Sequence, residues 1–174
     1  MQRKLLIGGT QKAPGWEVLN IIAGPNIDHV CDAHNLSQFP DNTFTALYAS
    51  HVLEHFDYVK ELAETLTEWK RILIPGGILY VSVPDMDILA QLFLRKDKLA
   101  LDERFRVMRM MFGGHVDKYD YHVIGLNQEF LMAFLRETGF VNMRRVNSFG
   151  LFHDTSIMLF KGVPISLNVI AEKP

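Results

Sequence analysis

Pro40–Phe56 reads P-D-N-T-F-T-A-L-Y-A-S-H-V-L-E-H-F, and Trp69–Asp85 reads W-K-R-I-L-I-P-G-G-I-L-Y-V-S-V-P-D. These two pieces decide the fold. Phe44 to Ala49 is a short, mostly apolar run with aromatics, long enough for an interior strand. Val59, Leu62, Leu66, Trp69 and Leu73 step by three and four residues, which predicts one apolar stripe on a helix. Asp57 is placed to cap its start, and Pro75-Gly76-Gly77 is placed to stop it. Ile78 to Val83 then predicts a second buried strand. Strand, helix and strand in this compass form a βαβ unit with parallel strands. Ligands of such sheets bind beyond the carboxyl ends of the strands. Ser50-His51 lies at one of those ends and Pro84-Asp85 at the other.

With 174 residues and 48% apolar content, the chain fits one globular domain, 1–174, with a real core. Its net charge of −2, from 18 basic and 20 acidic residues, gives no general field for a nucleic acid or an acidic membrane. No nucleic-acid partner is therefore expected. Cys31 is the single cysteine, so no intramolecular disulfide forms and a reducing compartment is expected. The start, M-Q-R-K-L-L-I-G-G-T, offers only Leu5, Leu6 and Ile7 before Gly8, too little for a signal-peptide core. No apolar run approaches the ~20 residues of a membrane span. The expectation is a cytoplasmic protein without a membrane span; the sequence does not define its oligomeric state.

Lys4 to Ile7, Glu17 to Ile22 and Ile27 to Cys31 read as the first three strands. The segment between the first two, G-G-T-Q-K-A-P-G-W, has no room for a full crossover helix, and Pro14-Gly15 breaks it. Gly8 and Gly9 allow a tight turn and close approach of backbone to a ligand. After the fifth strand, Asp85 is expected to cap a helix over Met86 to Leu94, followed by another over Asp102 to Phe112. Gly113 to Gly125 is polar and holds His115, Tyr119, Asp120, Tyr121 and His122, groups able to move protons. Asn127 starts a further helix, and Gly139 ends it. Val141 to Val146 and Ser166 to Ala171 complete the strands. Ile157 to Phe160 is a further strand candidate, and which of the last two reaches the sheet edge stays open.

With these residues in place, the chain resembles class I S-adenosylmethionine-dependent methyltransferases, most of all their short bacterial type-11-like subgroup. K-L-L-I-G-G-T-Q-K-A-P-G-W stands where the family has its first loop; F-P-D-N-T-F-T-A-L-Y-A-S-H-V-L-E-H-F, W-K-R-I-L-I-P-G-G and S-L-N-V-I-A-E-K carry the rest. The resemblance implies an α/β fold: a doubly wound, Rossmann-like, seven-stranded and mostly parallel sheet with one antiparallel strand near the end, here with a shortened first crossover. It implies S-adenosylmethionine as cofactor and a small-molecule substrate, a sugar or related metabolite methylated on oxygen. Carried over by position, Gly8, Gly9 and Thr10 would face the methionine part of the cofactor and Asn20 its ribose. Asp32 would meet the adenine amino group, with Ala33 beside it. Ser50 and His51 would border the sulfonium end, with Tyr48 and Leu36 as weaker neighbours. Two positions depart from the family pattern: Thr10 replaces the third glycine, and Asn20 the ribose-binding acid. An asparagine can bond hydroxyls only as a neutral partner.

A hydroxyl acceptor benefits from a general base, and histidine suits neutral pH. His51, at the strand end, is the first candidate, followed by His55, His115, His122 and Asp154. Residues 86–127 are expected to form the substrate lid. Two other readings compete. One is a non-catalytic binding or scaffold protein on the same fold, since fold does not fix function. The other is a zinc metallopeptidase, because His51-Val-Leu-Glu54-His55 matches H-x-x-E-H, with Glu54 as base. That motif needs a continuous helix, whereas here it follows a strand directly. Zinc also needs a third, distant ligand; the sequence marks none, so no metal ligands are expected.

Overall fold

The strand expected from Phe44 onward is β4, Phe44–Ser50, and all of it except Thr45 and Ser50 is buried. The computed structural model describes residues 2–174. β1 (Lys4–Ile7) lies between β4 and β2 (Trp16–Asn20), parallel to both. β3 (His29–Val30) adds to the outside of β2. On the other side of β4 comes β5, Leu73–Pro84, also parallel. The chain then forms helices and β6 (Val141–Val146), and returns as β9 (Ser166–Glu172), which inserts antiparallel between β5 and β6. The order is β3-β2-β1-β4-β5-β9-β6, seven strands with one antiparallel. Strand order reverses between β1 and β4, which opens a crevice at their carboxyl ends.

The helix between β4 and β5, α1, spans Glu61–Ile72 and buries Leu62, Thr65, Leu66, Trp69 and Ile72 on one face. It starts later than the sequence predicts. Lys60 is the N-cap and makes no side-chain cap bond. Asp57 instead builds the turn before it, its carboxylate accepting from Val59 N at 2.7 Å and its N–H donating to Glu61 at 3.0 Å. Val59 falls outside the helix and is exposed. Trp69 is fully buried, and its indole N–H donates to the Ala33 carbonyl at 2.9 Å. That bond ties α1 to the segment carrying Asp32. Gly76, at φ 73°, turns within β5 rather than ending a helix, and pairs through its N–H with the Lys173 carbonyl.

The helices α2 (Met86–Leu94) and α3 (Leu101–Phe112) pack on each other beyond the strand ends, around Leu89, Leu99, Val107 and Ile165. Asp85 caps α2 by accepting from Ile88 N at 3.4 Å, and Arg145 pairs with its buried carboxylate at 2.8 Å. α4, Gln128–Glu137, is capped by the Asn127 side chain on Phe130 N at 2.9 Å. Gly139, at φ 83°, closes it. The remaining strand candidate, Leu159–Phe160 (β7), pairs only with Val163–Pro164 (β8) in a separate hairpin. Neither C-terminal segment is at an edge: β9 is interior, and β6 takes the edge.

α1 and α4 cover one face of the sheet, where Leu5, Ile7, Leu47, Leu79 and Val169 meet Leu62, Leu66, Trp69, Leu131 and Leu135. Residues Gly8 to Gly15 cross from β1 to β2 without a helix. The other face is closed by aromatics instead. Trp16, Tyr48 and Tyr80 from the strands meet Phe149 and Phe152 from the loop after β6. Among the described residues, no helix is long and apolar enough to cross a membrane.

Replacing Trp69 with alanine removes the largest buried side chain of the α1 interface and orphans the Ala33 carbonyl. Trp69→Ala is expected to cost ~3–5 kcal/mol, read as a lower urea midpoint with an unchanged denaturant slope.

Candidate functional site

A cleft of about 420 Å³ opens at the carboxyl ends of β1, β2 and β4. That size lies within the range of small-molecule and cofactor sites. Gly8, Asn20, Asp32, Ala33, His51 and His55 all line it. These residues are spread from position 8 to position 55, and the parallel strands bring them to one edge.

Each is positioned by local structure. Gly8 follows β1 at φ 77°, and a Cβ there would lie 2.5 Å from Val52 Cγ2. Only glycine can hold this turn against the cleft wall. Asn20 ends β2 and spends its amide on the same turn. Its Nδ2 donates to the Gly8 and Gly9 carbonyls at 3.0 and 3.1 Å, and its Oδ1 accepts from Ile22 N at 2.9 Å. Both amide hydrogens are therefore used internally. The Asn20 side chain thus braces the glycine turn. Asp32 is exposed and accepts from His34 N at 2.9 Å through Oδ1, leaving Oδ2 turned to solvent. Ile21 and Ile22, which the sequence did not single out, form an exposed apolar wall of the cleft. Lys118, Tyr119, Tyr121 and Val123 close the opposite side from the polar loop.

The other expected site residues lie elsewhere. Gly9, Thr10, Ser50 and Asp154 line a second cavity, about 180 Å³, together with Leu6 and Phe152. Asp154 accepts from the Tyr48 hydroxyl at 2.8 Å on the aromatic face. It thus anchors that loop and does not reach the cleft. Tyr48 is buried on that face, and Leu36 lies in the main core. His115 is exposed, stacked on Tyr121 at 4.0 Å, with its Nε2 on the Phe112 carbonyl.

His51 holds a left-handed backbone, φ 56°, an uncommon conformation for a non-glycine residue and one found at functional sites. Only a single 3₁₀ turn, Leu53–His55, follows it. The continuous helix that the peptidase motif requires is not formed, and that reading falls. Ser166 gives its hydroxyl hydrogen to the Thr155 carbonyl at 2.8 Å, so it accepts from His51 Nε2–H at 2.9 Å. Burial, with a contribution from nearby His122, pushes His51 down to about 3, so the ring is neutral and is a weak proton acceptor.

Glu54 is fully buried three residues on, and neither carboxylate oxygen has a hydrogen-bond partner. Burial pushes its carboxyl up to about 8. Its backbone carbonyl accepts from Val123 N at 2.9 Å, and His55 Nδ1 bonds the Tyr121 carbonyl at 3.0 Å. These bonds stitch the polar loop to the 3₁₀ turn and bring His122 beside His55, ring centroids 5.0 Å apart. Burial, and His55 next to it, lower His122 from the usual imidazole range. The sequence signals each of these residues locally but not their convergence.

This sheet order and this crevice define the fold of the class I S-adenosylmethionine-dependent methyltransferases. Residues 14–81, from the entry to β2 to the middle of β5, match the family described as methyltransferase domain. A crystal structure of a SAM-dependent methyltransferase from Archaeoglobus fulgidus is 16% identical, covering 99% of this chain and 86% of that one, with a TM-score of 0.62. The 1,6-didemethyltoxoflavin-N1-methyltransferase of Burkholderia thailandensis, with bound 1,6-didemethyltoxoflavin and S-adenosylhomocysteine, is 13% identical. It is matched over 99% of this chain and 71% of that one, with a TM-score of 0.58. A possible exported protein from Bordetella parapertussis is 14% identical, with a TM-score of 0.60; 99% of this chain spans only 63% of that protein, under two thirds of its length. A comparison with curated proteins found no match.

Gly8→Ala is expected to lower thermal stability and to weaken S-adenosylhomocysteine binding at least ten-fold, about 1.4 kcal/mol. Calorimetric titration measures the second effect. Gly15, at φ 78° with open space around it, is the control: alanine there strains the backbone but leaves the cleft wall in place.

Proposed function

We propose that the chain is an S-adenosylmethionine-dependent methyltransferase acting on a small molecule that carries a hydroxyl, a sugar or related metabolite. The observation that carries this reading is the cleft itself. A tight glycine turn, an apolar wall at Ile21 and Ile22, a solvent-facing carboxylate at Asp32 and a partly buried neutral imidazole at His51 line one crevice at the strand-order reversal. Such a surface fits the cofactor part by part. The backbone at Gly8 can approach the methionine portion. Ile21 and Ile22 offer apolar cover for the adenine. Asp32 Oδ2 can accept from its amino group, with Ala33 alongside.

The cofactor, when bound, supplies a methyl group activated on a sulfonium. The chain's own part is alignment and exclusion of water. His51, neutral and held by Ser166, keeps positive charge away from the sulfonium end. Residues 118–123 bound the outer side of the cleft. Residues 86–127 act as the lid over it, α2 and α3 giving that segment its own small core around Leu89 and Val107. Gly9, Thr10 and Ser50 serve as the floor behind the turn. The chain works as one domain, in the cytoplasm.

A second reading, binding without transfer, draws on Asn20. Its amide is committed to the glycine turn, so the cofactor's ribose meets no carboxylate there. Thermal-shift titration with S-adenosylmethionine and S-adenosylhomocysteine tests the site, because a ligand that binds the native state alone raises Tm. A rise is expected for both, and Asp32→Ala is expected to weaken binding about ten-fold through loss of a hydrogen bond to a charged group. No rise at ~1 mM ligand would overturn the cofactor reading. A rise without methyl transfer to any of a panel of hydroxylated acceptors would favour the second reading.

A further inference from the structure

The carboxylate of Glu54 is the group the fold leaves unexplained. A buried carboxylate with both oxygens unpartnered is costly unless something positive reaches it. What surrounds it is a set of lone pairs. His55 and His122 each direct Nδ1 at a backbone carbonyl, Tyr121 O at 3.0 Å and Met111 O at 3.3 Å. A carbonyl can only accept, so Nδ1 carries the hydrogen on both rings and Nε2 carries the lone pair. His122 Nε2 stands 3.8 Å from Glu54 Oε1. One ligand atom from each of Glu54, His55 and His122 falls within 4.8 Å of the others. His51 adds to this: its Nε2–H is given to Ser166, and its Nδ1 lone pair lies 3.5 Å from the same Glu54 oxygen.

We propose that Glu54, His55 and His122 form a binding site for a divalent transition-metal ion of the zinc class, with His51 at its edge. The ligands of a tetrahedral zinc site with bonds of ~2.0–2.2 Å stand about 3.3–3.5 Å apart, so the three groups close onto the ion by at most about 1.4 Å, within reach of side-chain rotation. Two imidazoles and one carboxylate select zinc, iron or cobalt over magnesium or calcium. The two Nδ1–carbonyl bonds are the outer contacts that orient metal-ligating histidines elsewhere and fix their tautomer. An ion here would also supply the positive charge that the buried carboxylate lacks. The distant ligand that the H-x-x-E-H spacing left unmarked is His122, delivered by the loop bonded to the Glu54 backbone. The arrangement differs from a peptidase centre because Glu54 is a ligand rather than a base.

Three protein ligands leave a coordination position open. His55 lines the cleft, so the ion sits in its wall, where it can hold an acceptor oxygen. That use rests on the methyltransferase reading; the ion site does not.

The test uses the full chain without a polyhistidine tag, stripped with a chelator and titrated with Zn²⁺. Metal analysis after dialysis is expected to return one equivalent, and Tm is expected to rise. Substitution of Co²⁺ is expected to give the intense visible absorption of a four- or five-coordinate nitrogen and oxygen site. Glu54→Gln keeps the shape of a neutral carboxyl, and His122→Ala removes the distant ligand. Each is expected to weaken Zn²⁺ at least as much as loss of an outer contact does, about ten- to a hundred-fold. Wild-type protein that binds Zn²⁺ no more tightly than these two variants would overturn the proposal and leave Glu54 a protonated acid. The S-adenosylhomocysteine titration on the same wild-type sample reports on the cofactor cleft separately.

Discussion

The constraint on which the rest depends is the short passage from β1 to β2. Two parallel strands need a crossover, and Gly8 to Gly15 provides one too short for a helix. The sheet therefore has helices α1 and α4 on one face and lacks the first crossover helix on the other. That second face still needs cover, because Leu6, Val18 and Tyr48 point into it. Phe149 and Phe152 supply the cover, and Asp154 and Ser156 fix their loop to the Tyr48 hydroxyl. Asp154 is thus accounted for by packing rather than by chemistry.

The same shortness shapes the cleft. Without a helix after β1, no helix N-terminus stands behind Gly8, and the turn must be held by other means. Asn20 holds it, with two hydrogen bonds to the carbonyls of Gly8 and Gly9. A carboxylate at this position would repel those carbonyls; an amide can donate to both. The asparagine at position 20 and the missing helix are therefore linked. One residue stabilises the loop that the other feature leaves unsupported.

On the far side of the cleft, order comes from the 3₁₀ turn after β4. The left-handed His51 turns the chain so that Glu54 points inward and its backbone carbonyl outward. The outward carbonyl captures Val123, and the inward carboxylate gathers His51, His55 and His122 around it. A polar loop that could be a solvated excursion becomes a wall of the cleft. Its proton-active residues divide accordingly: His122 joins the buried cluster, whereas His115 is spent on Tyr121 and the Phe112 carbonyl.

Much of the fold was determined by the sequence alone, because period and punctuation are local. The apolar runs of β4 and β5, the stripe through Leu62, Leu66 and Trp69, and the caps Asp85 and Asn127 each express a short-range preference of the backbone. The residues at strand ends, Gly8, Asp32 and His51, were legible for the same reason: parallel strands send their carboxyl ends to one edge. Only the tertiary structure decided what depends on pairing across the chain. β9 enters between β5 and β6 because its register satisfies two neighbours at once, and no feature of Ser166–Glu172 alone distinguishes an interior strand from an edge. Asn20 reads as a ligand contact until its amide is seen bonded to Gly8 and Gly9. His122 reads as one histidine in a polar loop until Val123 pairs with Glu54, 69 residues before it. A lone pair or an unmet carboxylate has no signature in a string of residues; it is defined by what else lies within a few ångströms.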